Sequence, residues 1–155
     1  MKQYLNILLA DDEDIVHQTI ADYLRDSGHN VYRVHGASSA MKAVKDLDND
    51  ITFVDLQMAG MEDFSLLIGM KKIRPDMPVV VLTEYGNMSM ALQALKLGAT
   101  DYLLKPIKLL ELDAALEKSI RIRDLITQNK RDNKESKVNN NGLQMQRFTK
   151  NPAFY

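Results

Sequence analysis

PVVVLT, residues 78–83, decides the fold more than any other stretch of the sequence. It is an almost unbroken apolar run that ends in a hydroxyl, and ITFVD, residues 51–55, has the same pattern with a carboxylate at its end. Parallel strands have this composition because helices cover both of their faces, whereas half-exposed antiparallel strands alternate apolar and polar residues. The two runs therefore predict parallel strands that are buried on both faces.

Strand-length and helical segments alternate along the rest of the chain. Between the apolar runs, leucine and isoleucine recur on one helical face, as at Ile20 and Leu24 or Leu112 and Leu116. This alternation predicts five βα units: an α/β doubly wound parallel sheet with right-handed crossovers and helices on both faces. The predicted strands are Leu5–Leu9, Asn30–Val34, Ile51–Val54, Pro78–Leu82 and Asp101–Leu104.

Composition narrows the class of protein. The chain has 155 residues, 45% of them hydrophobic, and no cysteine, which excludes disulfides, thiolate metal sites and a cysteine nucleophile. No apolar run is long enough to cross a bilayer and the start is not a signal peptide, so we expect a cytoplasmic protein without membrane contact.

Charge separates the body of the chain from its tail. Residues 127–155 hold six Lys or Arg and two acids, a net charge of +4, so residues 1–126 carry −5. The acidic body shows no basic reading motif, which argues against direct nucleic-acid binding by this domain. We expect one folded domain over 1–126, with 127–155 either a polar linker to an output domain or a flexible tail.

Functional side chains stand where the predicted strands end. Asp11 and Asp12 follow the first strand, Asp55 the third, Thr83 the fourth and Lys105 the fifth. Each has an ordinary structural explanation alone, as a helix cap, a loop acid, a β-former or a surface amine. Because the carboxyl ends of parallel strands share one edge, where such sheets bind ligands, the coincidence favours a site.

The acids of LLADDED, residues 8–14, need a positive partner. Helix capping explains those after Asp11 but leaves Asp11 itself unexplained. Two carboxylates about 4 Å apart repel by about 4 kcal/mol at an effective dielectric of 20. A divalent ion such as Mg²⁺, which prefers oxygen ligands, would relieve this repulsion. Zinc is not expected, because no zinc-binding spacing includes His17, His29 or His35.

Four segments carry a family resemblance. DDE (11–13), FVDLQMAGMED (53–63), VVVLTEYG (79–86) and GATDYLLKP (98–106) together resemble the receiver domain of bacterial two-component response regulators, over about residues 5–126. The resemblance implies a CheY-like, flavodoxin-like sheet of strand order 2-1-3-4-5. It also implies a signalling phosphoacceptor rather than an enzyme.

The resemblance assigns roles to the acids. Asp55 would accept a phosphoryl group from a sensor histidine kinase or a phosphotransfer protein. Asp12, Asp55 and the backbone carbonyl of Gln57 would hold Mg²⁺ or Mn²⁺, with Asp11 acting mainly through bound water.

It also implies a switch. Lys105 would neutralise phosphoryl oxygens, aided by a cis peptide to Pro106, and Thr83 would hydrogen-bond one of them. Tyr102 would then turn inward, although simple core packing also explains that residue. The surface of the fourth helix, fifth strand and fifth helix would change and control an output domain, a partner protein or a homodimer.

Two departures from the family pattern surround the phosphoryl site. The loop 58–63 lacks the usual Pro and second Gly, which predicts a modest change in loop geometry. Glu84 stands where a small residue usually follows the Thr, and with Gln57 it would border the path of water to the phosphoryl group. We expect Glu84 to alter the phosphoryl lifetime, unless it simply points into solvent.

Three rival functions remain to be weighed. A phosphatase using D-x-D-x-T lacks its second acid, because Gln57 stands there, and a flavin or nucleotide binder lacks a glycine-rich phosphate loop. The serious rival is a receiver-fold interaction module that works without phosphorylation.

Overall fold

The computed structural model describes residues 4–12, 15–56, 58, 64–84 and 86–143, with side chains omitted for Val16 and 134–143. Five strands and five helices alternate along the described chain. The elements are β1 (Asn6–Ala10), α1 (Ile15–Asp26), β2 (Asn30–Val34), α2 (Ala37–Asp46), β3 (Ile51–Asp55), α3 (Ser65–Ile73), β4 (Val79–Thr83), α4 (Met88–Lys96), β5 (Asp101–Leu104) and α5 (Leu109–Leu143).

The five strands form one parallel sheet of order β2-β1-β3-β4-β5, which confirms the predicted topology. Its register aligns the strand ends: Ala10 lies beside Val54, Asp55 beside Leu82, and Thr83 beside Leu104. The residues that end or follow these strands therefore gather at one edge of the sheet.

Alternate residues of the strands face two separate cores. On one face, Leu8, Val54 and Val81 pack with apolar residues of α2, α3 and α4. On the other, Leu9, Phe53 and Leu82 pack with apolar residues of α1 and α5. All residues of β3 and β4 are buried, which explains why ITFVD and PVVVLT contain almost no polar residues.

Helix α5 extends further than the sequence indicates. It continues to Leu143, through part of the segment expected as a linker, and the chain divides into two compact units, Met1–Arg123 and Asp124–Tyr155. Residues 127–133 are exposed, and the Gln128 side chain donates to Asp132 one turn later at 3.0 Å. None of the helices among the described residues is both long and apolar enough to cross a membrane.

Candidate functional site

Two buried carboxylates define the site at the carboxyl edge of the sheet. Asp55 is the last residue of β3 and Asp11 directly follows β1, and both are 0% exposed. The Asp11 amide donates to the Val34 carbonyl at 3.0 Å, which fixes the backbone at this strand end. Buried carboxylates need compensating charge, and the surrounding side chains supply it.

Lys105 is the cation closest to Asp55. Its Nζ donates to Asp55 Oδ2 at 2.8 Å, and the lysine side chain is only 11% exposed. The Lys105 amide donates to the Thr83 carbonyl at 2.8 Å, and the Lys105–Pro106 peptide bond is cis. The backbone at the end of β5 thus holds the ammonium group against the carboxylate.

Thr83 and Tyr102 form a hydroxyl pair beside these charges. Thr83 is buried at the end of β4, and its side chain hydrogen-bonds the Tyr102 phenol. Burial raises the pKa of this phenol above its ordinary value, and the hydrogen bond partly opposes the rise. Half-buried Tyr102 also packs against the core between the sheet and α2, α3 and α4.

Arg33 neutralises Asp11 from the neighbouring strand. Its Nε donates to Asp11 Oδ2 at 3.1 Å and its Nη2 to Oδ1 at 2.9 Å, a bidentate ion pair. The Nδ1 atom of His35 lies 3.1 Å from Asp11 Oδ1. The positive partner that Asp11 requires is therefore present within the protein.

His17 stands between the two buried carboxylates. It lies on α1 and is 0% exposed, with Nε2 at 3.6 Å from Asp55 Oδ2 and Nδ1 at 3.9 Å from Asp11 Oδ2. Candidate ligand atoms of Asp12, His17 and Asp55 all lie within 4.8 Å of one another. His17 and His35 thus lie beside the acids although they have no zinc-binding spacing in the sequence.

Two further residues of the predicted site are not buried. Asp12 and Glu84 are exposed. Gln57 and residues 59–63 of the loop with the missing Pro lie outside the described residues, whereas Met58 is 1% exposed. The described part of the site thus combines a buried carboxylate, a neighbouring ammonium, a hydroxyl and an acidic rim. This combination suits transfer of a charged group such as phosphoryl.

Comparisons with known proteins find relatives over most of the chain. Residues 7–117 match the family model for the response regulator receiver domain. The transcriptional regulatory protein ZraR of Escherichia coli (strain K12) is 38% identical over 117 residues, which make up 75% of this chain and 26% of ZraR. The chain thus spans about a quarter of the length of such relatives.

Solved structures give the same result. NtrX from Brucella abortus matches with a TM-score of 0.75 and 30% identity, over 83% of this chain and 29% of NtrX. A response regulator protein from Burkholderia pseudomallei, solved with a phosphorylated aspartic acid, a calcium ion and citrate, matches with a TM-score of 0.66. Its identity is 29%, over 83% of this chain and 75% of the regulator.

Proposed function

The chain belongs to the response regulator receiver domain family, and from this we propose that it is a signalling switch phosphorylated on Asp55. The observation that carries the proposal is the 2.8 Å contact between Lys105 Nζ and Asp55 Oδ2 at the carboxyl edge of the sheet. The phosphorylated aspartic acid of the Burkholderia pseudomallei regulator supports the same role for a receiver carboxylate.

Asp55 is the nucleophile in the proposed reaction. The donor is the phosphohistidine of a sensor histidine kinase or a phosphotransfer protein. Its P–N bond breaks as a P–O bond to the Asp55 carboxylate forms, and the histidine leaves as a neutral imidazole that keeps the proton on its other ring nitrogen. Lys105 neutralises the incoming phosphoryl oxygens, and the Thr83 hydroxyl donates to one of them.

A divalent ion fits the acidic rim. Asp12 and Asp55 offer the hard oxygen donors that Mg²⁺ and Mn²⁺ accept, and the carbonyl of Gln57 would complete the set. When bound, the ion would neutralise charge on the transferring phosphoryl group. Asp11, held by Arg33, would act mainly through bound water.

The Thr83–Tyr102 hydrogen bond supports a switch at the same edge. A phosphoryl oxygen on Asp55 would compete for the Thr83 hydroxyl, and Tyr102 would then change its rotamer. This change would alter the surface formed by α4, β5 and α5. Leu92, Leu95 and Leu104 are already exposed on this surface. We propose that this surface contacts an output domain, a partner protein or a second copy.

The names of the relatives indicate the kind of output. ZraR is a transcriptional regulatory protein, and NtrC of Azospirillum brasilense is a DNA-binding transcriptional regulator. We propose that the receiver controls a transcriptional output in the same way. DNA contact would belong to that output, since the receiver portion carries a net negative charge.

One observation favours the rival module that works without phosphorylation. Arg33 already neutralises Asp11, so these acids can persist with no ion and no phosphoryl group. Such a module would keep the receiver fold and its partners, but Asp55 would stay unmodified.

Intact-mass spectrometry separates the two functions. The protein is incubated with acetyl phosphate and Mg²⁺, beside an Asp55→Asn variant and a sample with the metal chelated. We expect one added phosphoryl mass in the unmodified protein with metal and none in either control. No mass gain in a folded protein would favour the phosphorylation-independent module.

A further inference from the structure

The acidic pocket contains a nitrogen donor. The His17 ring is fully buried, and its Nε2 atom lies 3.6 Å from Asp55 Oδ2. Metal–ligand distances of about 2.1 Å place two ligand atoms of one ion about 3 to 4 Å apart. The separation of His17 Nε2 and Asp55 Oδ2 falls in that range, and this oxygen, which accepts one hydrogen bond from Lys105 Nζ, has a second lone pair for an ion.

Asp11 is the acid least available to an ion. Arg33 contacts both of its carboxylate oxygens, at 2.9 Å and 3.1 Å, and His35 Nδ1 lies 3.1 Å from one of them. A bidentate guanidinium pair of this kind is strong and directional. Metal coordination by Asp11 would have to break at least part of this pairing.

The donor set that faces an ion is therefore Asp12, Asp55 and His17, and these three residues have ligand atoms within 4.8 Å of one another. Two carboxylates and an imidazole differ from the all-oxygen set expected from the resemblance, in which Asp12, Asp55 and the backbone carbonyl of Gln57 hold the ion and Asp11 acts mainly through bound water. Mg²⁺ prefers oxygen ligands, whereas imidazole suits zinc, cobalt and other transition metals.

We propose that His17 is a metal ligand of this site and that it shifts the ion preference from Mg²⁺ towards Co²⁺ and Zn²⁺. The inference rests on the ion site of the proposed function and adds its selectivity. Asp12 is exposed, and one of its carboxylate oxygens lies within 4.8 Å of ligand atoms of both His17 and Asp55.

Binding of each metal alone tests the proposal. Affinities for Mg²⁺, Co²⁺ and Zn²⁺ are measured by calorimetry for the unmodified protein, His17→Leu and His17→Gln. Loss of the imidazole should lower the ratio of Zn²⁺ to Mg²⁺ affinity by about tenfold or more. Loss of a residue that only hydrogen-bonds a metal ligand already changes metal affinity by about 10- to 100-fold. The control His35→Gln removes an imidazole that contacts Asp11 and should keep the ratio.

Nitrogen-15 NMR of the histidine rings gives a direct readout from the unmodified protein. Zn²⁺ should shift one ring nitrogen of His17, assigned by its absence in the variants or by through-bond connection to the backbone. An unmoved His17 signal under saturating Zn²⁺, or an unchanged affinity ratio in a folded His17 variant, would overturn the proposal. Because the spectrum is recorded on the unmodified protein, it tests ligation by His17 even if neither His17 variant folds.

The outcome is independent of phosphorylation. The NMR and calorimetry contain no phosphoryl donor, so they report on ligation alone. Absence of a mass gain with acetyl phosphate would count against Asp55 as the acceptor. It would leave the assignment of His17 as a metal ligand standing.

Discussion

Arg33 determines how Asp11 can remain charged inside the protein. Its bidentate contact compensates a carboxylate that is 0% exposed. Arg33→Met should lower the free energy of unfolding by about 2 kcal/mol, because a buried charge loses its main partner. Urea unfolding in the presence of a chelator measures this change. Arg121→Met, at an exposed arginine of α5, should stay within about 0.5 kcal/mol of the unmodified protein. Equal losses in both variants would contradict the assigned role.

The Tyr102 phenol predicts a pH dependence. Burial raises its pKa above the ordinary 10.0, so the folded state holds this proton more tightly than the unfolded state does. The contribution of this proton to the free energy of unfolding is fully present below the ordinary pKa of 10.0 and is lost as the pH rises through the folded pKa. As the pH rises above 10, the free energy of unfolding measured in urea should therefore fall less in Tyr102→Phe than in the unmodified protein. The exposed Tyr32→Phe controls for removal of one phenol, and identical pH profiles in the two variants would refute the prediction.

Glu84 gives a kinetic prediction. It is exposed directly after Thr83, where its bulk and charge would obstruct attack of water on a phosphoryl group held by Asp55. Glu84→Ala should shorten the lifetime of the phosphorylated form, followed by intact mass after removal of acetyl phosphate. Glu84→Gln separates bulk from charge. An unchanged decay rate in the alanine variant would mean that Glu84 only faces solvent.

The sequence predicted that residues which end or follow strands meet at one edge of the sheet. It did not predict the side chains from β2 and α1 that also lie there. Asp11, Asp55, Thr83 and Lys105 gather because the sheet order determines where strand ends meet. The contacts of Arg33 on β2 and His17 on α1 depend on the direction in which these side chains leave their own element. Arg33 and His35 are two residues apart at the end of β2, so their side chains are on the same face. This spacing could have indicated that both lie near Asp11. No comparable spacing pointed to His17.

Among the elements, the end of α4 depends on Gly98. Its φ of 107° is unfavourable for other residues, and its amide donates to the Leu95 carbonyl at 3.1 Å. An added Cβ would also lie 3.2 Å from Cε of Lys71. Gly98→Ala should lower stability by about 1 to 2 kcal/mol in thermal or urea unfolding.

Gly36→Ala measures backbone strain without crowding, because an added Cβ would meet nothing within 4 Å there. Gly36 has a φ of 117° and a ψ of 153°, a conformation essentially restricted to glycine. We therefore expect a loss at least as large as at Gly98. A Gly98→Ala protein as stable as the parent would show that α4 does not need this turn.

Strands were easier to predict than the extent of α5. Buried parallel strands must be apolar on both faces, so β3 and β4 were located to within a residue. The end of α5 lies among polar residues, where no buried face imposes a helical period. Only helix propensity and local pairs such as Gln128 with Asp132 stabilise that part, and these are weak sequence signals.

For the whole molecule, we predict that the receiver folds without the tail. The residues that α5 contributes to the core are Leu112, Ala115, Leu116 and half-buried Ile120, whereas 127–133 are exposed. A chain ending at Ile126 should melt at nearly the same temperature as the full chain and gain the same phosphoryl mass. Circular dichroism and mass spectrometry measure both. A clearly lower melting temperature would place the domain boundary beyond residue 126.

The Arg33–Asp11 ion pair also bears on how the protein would respond to scarcity of divalent ions. Some small domains are unfolded until a metal binds, and they are lost when it is withdrawn. Here an arginine inside the fold supplies counter-charge that an ion would otherwise provide. When ions are scarce, the receiver would therefore keep its fold and lose only the proposed ion-dependent step, which would resume without new synthesis once ions returned.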